Sequence, residues 1–227
     1  MRRIGFLSVA LAAAVTMACN SNRNAANDTS AGSAAVGTAG KSDVSRGDKD
    51  FVHDVAIMNM AEIDLGRLAA DRAADPEVKK FAQMMVDEHT KAGDTLKTLA
   101  SQQNIEVPAE VDKKHQDLRE KLAGKQGLDF DREYMDAMVD GHNDFIDKLE
   151  SRIDKTRLSE WKSKWTDRTT AQKGEAATKA ETVYPEKSDN TVTMAINQWA
   201  ADTYPVAYAH RENAKTLQNT LKRRTTD

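Results

Sequence analysis

From Phe51 onward the large apolar residues recur every three or four positions, the spacing of one face of an α-helix. Phe51, Val55, Met58, Leu65 and Ala69 make a first row, and the missing member near its middle is Glu62. Val78, Phe81, Met85, Ala92, Leu96 and Leu99 make a second, with His89 in the gap after Met85. Phe130, Tyr134, Met138, Phe145, Leu149 and Ile153 make a third, interrupted by His142, and Val206, Ala214, Leu217 and Leu221 a fourth, with His210 in line. Four long helices are predicted, each with an apolar stripe broken once by an ionisable side chain.

The breaks between rows say how the helices connect. Asp75-Pro76-Glu77 is a stop and restart, because Asp75 can cap the next helix, Pro76 suits its first turn and Glu77 suits its N-terminal dipole. The first two helices therefore form a tight hairpin. Residues 104–108 end the second helix, and Val111, Leu118 and Leu122 predict a short connecting helix, long enough to cross the end of a bundle. The third helix is expected from about Asp129, and the fourth from about Thr193, running through Pro205. Residues 155–190 are polar apart from Leu158, Trp161, Trp165 and a few small groups, and read as an insertion that extends the third helix or projects as a hairpin. The expected fold is all-α: an antiparallel four-helix bundle with a crossover between helices two and three and a polar insertion before the last.

The pentapeptide MVDEH at 85–89 returns as MVDGH at 138–142. With Phe81 matched to Tyr134 and Leu96 to Leu149, the two copies mark equivalent turns of two helices. Glu62, His89 and His142 lie about 16–20 Å along their helices at 1.5 Å per residue, near mid-length. They are expected to share one slab, joined by His210. Burying a carboxylate and three imidazoles singly is costly unless they are paired or bind a cation. Two readings follow: Glu62, His89, His142 and His210 are ligands of one divalent transition metal, or they form a hydrogen-bonded layer that fixes register without a cofactor. Met85 with His89, and Met138 with His142, are also i,i+4 pairs that suit copper, although core filling accounts for both methionines. His115 falls on a short apolar row and His53 lies off the first; neither is given a role.

Composition changes the picture mainly at the N-terminus. Met1-Arg2-Arg3 followed by an apolar run to Ala18 reads as a signal peptide over residues 1–19, too short for a stable membrane span. The chain's one cysteine, Cys19, closes that run in TMAC, which resembles a lipobox and makes Cys19 the expected lipidation site. Residues 20–50 are rich in Asn, Ala, Ser and Gly and read as a disordered tether, leaving 51–227 as the folded domain. The expected setting is the periplasmic side of the envelope, on an outer-membrane lipid anchor, with an envelope protein as the partner in the cofactor-free reading. A formal net charge of −3 and 5% aromatic residues give no basis for nucleic-acid binding. No phosphate loop or nucleophile elbow appears, and Val86 and Val139 stand three residues before His89 and His142, where a di-iron centre needs Glu. An enzyme is not expected.

The segments NMAEIDLGRLA, VKKFAQMMVDEHTKA, FDREYMDAMVDGHNDFIDKLE and YPVAYAHRENAKTL together resemble the exported bacterial family called domain of unknown function 4142, described as ferritin-like. The resemblance implies a ferritin-like bundle. Its pattern of Glu in the first helix, His after Met-Val-x-Asp in both central helices and His in the last falls on Glu62, His89, His142 and His210. The chain departs from it at Glu88 and Gly141, where the family has Asp.

Overall fold

The computed structural model describes residues 43–171 and 182–224; the expected signal peptide, Cys19 and most of the expected tether lie outside the described residues, as does part of the expected insertion. Among the described residues there are six helices and no strand: α1 (Arg46–Arg72), α2 (Pro76–Gln102), α3 (Lys113–Ala123), α4 (Gly127–Glu150), α5 (Lys155–Ala171) and α6 (Thr191–Lys222). The only strand-like pairing among them is an isolated bridge between Ile153 and Pro185. No helix among the described residues is long and apolar enough to cross a membrane.

The chemistry expected at the α1–α2 turn is what forms it. The Asp75 carboxylate accepts from the backbone N–H of Glu77 and Val78, with Pro76 at the first position of α2. Asp131 of α4, also buried, accepts from the N–H groups of Ala74 and Asp75 and so ties the turn to the other hairpin. Each long helix packs on two others: α1 on α2 and α4, and α6 on those same two from the opposite side. Neighbours run antiparallel, as Asp54–Lys148 and Glu62–His142 show for α1 and α4, and Trp199–Thr95 and His210–Glu88 for α6 and α2. The connector α3 lies against α1 and α4.

Two expectations are corrected. The first helix begins at Arg46, inside the segment read as tether, because polar contacts rather than an apolar stripe fix its start. Ser45 caps it through the Asp48 N–H, and the fully buried Asp48 carboxylate pairs with Arg152 at 2.7 Å and accepts from the Thr193 hydroxyl at 2.7 Å. Secondly, 155–171 neither continues α4 nor projects. The chain turns at 151–154, Asp154 N–H donates to the Tyr184 carbonyl, and α5 buries Leu158, Trp161 and Trp165. Trp161 packs edge-on to Tyr204 and Tyr208 of α6, so three apolar residues in a polar sequence suffice to dock a helix. Pro205 is buried inside α6, which continues past it.

The apolar core is split in two. One cluster holds Val52, Val55, Leu96, Phe145, Leu149, Ile196, Trp161 and Tyr204; the other holds Leu65, Phe81, Met85, Tyr134, Met138 and Ala214. Along every long helix the boundary falls at the polar interruption: Asn59 and Glu62 on α1, His89 on α2, His142 on α4 and His210 on α6. All five are buried.

Candidate metal centre

In that boundary layer the three histidines meet. Their ring centroids are 5.4–5.5 Å apart pairwise, none is more than 3% exposed, and each offers one ring nitrogen within 4.8 Å of the other two. The packing of α6 antiparallel to both α2 and α4 produces this, since mid-helix positions of antiparallel neighbours fall at one level.

The second nitrogen of each ring fixes its tautomer. His142 Nδ1 lies 2.8 Å from the Met138 carbonyl, which can only accept, so Nδ1 carries the proton. His89 Nδ1 faces Asn59 Oδ1 at 3.0 Å; the amide orientation is set because Asn59 Nδ2 donates to the His89 carbonyl at 2.8 Å. His210 Nε2 donates to Glu88 Oε2 at 2.8 Å, and that bond holds the Glu88 carboxyl below its ordinary range. Each imidazole thus spends its N–H on an oxygen outside the trio.

The remaining nitrogens, His89 Nε2, His142 Nε2 and His210 Nδ1, are buried and have no hydrogen-bond partner among the described residues. In neutral imidazoles with these tautomers they are lone pairs. Burial pushes His142 down to about 3, helped by the nearby His210, and pushes His89 well below its usual value, helped by His142 and His210. A buried unsatisfied acceptor costs about 1–3 kcal/mol, against total stabilities of about 5–15 kcal/mol. A single water has two hydrogens and satisfies two acceptors at most; a divalent cation takes all three. The outward oxygens of Asn59, Met138 and Glu88 match what metal-bound histidines require on their far side. The donor set therefore fits a metal of the class that takes imidazole, such as zinc, copper, nickel or iron, which the three nitrogens would hold.

Glu62 is placed differently from its expected role. Its Oε1 lies 3.5 Å from His142 Nδ1, the outward nitrogen, while Oε2 is buried without a partner among the described residues. Burial raises its carboxyl to about 8. Its placement depends on Gly141, where a Cβ would stand 2.6 Å from Glu62 Oε1. Glycine lets the carboxylate settle against α4, behind His142 rather than among the inward nitrogens. Tyr134 adds a buried hydroxyl without a partner among the described residues, whose pKa burial pushes well above its usual value, with Glu62 raising it further.

Residues 33–176, more than half of the chain, match the family model described as Domain of unknown function (DUF4142). The chain belongs to this family. The match includes Glu62, His89 and His142 and ends before α6, so His210 enters the layer from outside the matched span. No curated protein and no solved structure matches the chain.

Asn59 was missed by the sequence reading, although it follows Val55 by one turn on the first stripe. Its signal is joint with Gly93, where a Cβ would come within 2.7 Å of Asn59 Nδ2: a polar residue on the stripe of one helix faces glycine on the next, as Glu62 faces Gly141. Glu88, at the position where the chain departs from the family pattern, orients His210. Met85 and Met138 fill the core beside the layer, His53 is exposed, and His115 is half-buried with Nδ1 2.6 Å from Asp112.

Proposed function

We propose that this DUF4142 protein is an exported, lipid-anchored helical bundle of ferritin-like topology that binds one divalent transition metal through His89, His142 and His210 and serves metal handling or stress protection at the cell envelope. The observation that carries the metal assignment is the convergence of three buried, unpartnered imidazole nitrogens whose opposite nitrogens are all bonded outward. The ring of α1, α2, α6 and α4, with α3 between α2 and α4, supports the ferritin-like topology. The N-terminal basic pair, the apolar run and Cys19 support export and anchoring.

The competing reading is a cofactor-free envelope interaction module whose polar layer only sets register. With all three rings neutral and one water in the layer, it still leaves one buried lone pair without a donor, which the metal reading does not. Elemental analysis of the full chain, purified after expression with added zinc, copper, iron and nickel, separates the two. About one metal ion per chain, lost in His142→Ala, supports the metal site; a folded wild-type protein that carries none overturns it. For the anchor, Cys19→Ser should release the protein from membrane fractions, and unmutated protein found in the soluble fraction contradicts the assignment.

A further inference from the structure

The trio is enclosed, so an ion must reach it through one of the walls. The α1–α2 wall also bears a cleft, of about 340 Å³ and lined by Asn59, but the Asn59 amide is used at both ends on His89 and leaves no free ligand there. The α2–α6 wall is closed by Glu88, engaged with His210. On the α4–α6 wall Arg211 lies close enough for its charge to disfavour a cation at His142, and the α1–α4 wall differs from all three in holding an unpartnered carboxyl. Between α1, α3 and α4 lies a cleft of about 250 Å³ whose lining includes Met58, Leu118, Gly141 and, as its buried polar member, Glu62. Glu62 Oε2 has no partner among the described residues, and Oε1 lies 3.5 Å from the back of His142.

We propose that this cleft is a second, outer cation site and the port by which the metal reaches the histidines, with Glu62 as its transient inner ligand. The proposal rests on the metal reading above. A carboxyl that completes no ion pair with lysine or arginine among the described residues suits an ion that arrives and leaves. Gly141 gives that carboxylate room beside α4. At the mouth, Lys114 offsets Asp144 and Lys121 offsets Glu133, whereas Asp140 is exposed and has no ion pair among the described residues, leaving a negative entrance. The ligand class is a hydrated divalent transition-metal ion, which exchanges waters for Glu62 oxygen as the carboxyl proton leaves to water, and then Glu62 for imidazole nitrogen as the carboxyl takes a proton back, with no redox change.

A port residue and a ligand of the final site differ in kinetics, because a port changes entry and exit alike and leaves the equilibrium alone. The test is stopped-flow uptake and chelator-driven release of Co²⁺ by the metal-free full chain. Glu62→Gln should slow both at least tenfold with little change in Kd. Asp140→Lys, at an exposed position, should slow uptake several-fold at low salt, an effect that fades as salt rises. Asp202→Lys, with the same charge change on an exposed part of α6 outside the cleft, should not. Unchanged rates in both cleft variants, or a Glu62→Gln variant that loses affinity while keeping its uptake rate, overturns the port. Wild-type protein that takes up no Co²⁺ overturns the metal reading itself, and the port with it.

Discussion

Acidification of the metal-free protein sets two buried groups of the layer against each other, and Glu62→Gln separates them. His142 has its folded pKa pushed down to about 3, so between its unfolded value near 6.5 and that point the unfolded chain holds the extra proton. Its contribution to stability is complete above pH 6.5 and is lost as pH falls, by about 1.4 kcal/mol per unit, or about 2 kcal/mol at pH 5. His89, depressed by the same burial, adds a loss of the same sign. Glu62 acts oppositely. Its folded pKa near 8 exceeds the unfolded 4.5, so the folded state holds the extra proton between those values, and lowering pH from 7 to 5 stabilises by about 3 kcal/mol. Glu62 should therefore offset most of the two histidines' loss, so that wild-type stability falls only modestly over this range, whereas the Gln variant should lose about 3 kcal/mol more than wild type. Urea unfolding at pH 7, 6 and 5 in the presence of chelator measures the difference. Parallel profiles for the two proteins would refute a buried, uncharged Glu62 and with it the placement of the layer.

Four other outcomes follow from named contacts. Asn59→Ala removes the acceptor that orients His89 and should weaken metal binding by about 10–100-fold by titration; unchanged affinity contradicts the assigned tautomer. Arg152→Ala strands the buried Asp48 carboxylate and should cost about 3–5 kcal/mol in urea unfolding, whereas a surface pair would cost under about 1 kcal/mol. Trp161→Ala should cost about 3–5 kcal/mol if α5 is docked as described, and close to nothing if it is a solvated insertion. Limited proteolysis should leave a core beginning near Ser45, and a stable product beginning at Phe51 contradicts the Ser45 cap and the Asp48–Arg152 pair.

Much of this was legible in the sequence because burial dictates periodicity. The four stripes, the Asp75-Pro76-Glu77 turn and the mid-helix histidines depend on one helix at a time, and the repeated pentapeptide put His89 and His142 at one level. What depends on two helices at once was not legible. Whether Glu62 points at the imidazoles or behind His142 is decided by the Cβ that Gly141 lacks, and a single glycine in a helical sequence carries no such instruction by itself. The start of α1 rests on Asp48 finding Arg152 more than a hundred residues away, which no local pattern encodes. The docking of α5 rests on Trp161 meeting Tyr204 and Tyr208, and a strongly polar composition hid the few residues that mattered.

The central claim is that three neutral imidazoles from α2, α4 and α6 hold one metal ion. X-ray absorption at the zinc edge of the zinc-loaded full chain tests it most directly. Three imidazole ligands at about 2.0–2.1 Å, with the multiple scattering of intact rings, are predicted, and His210→Ala should reduce the count by one. A spectrum with no imidazole scattering, or one unchanged in His210→Ala, would place the ion elsewhere and contradict the account.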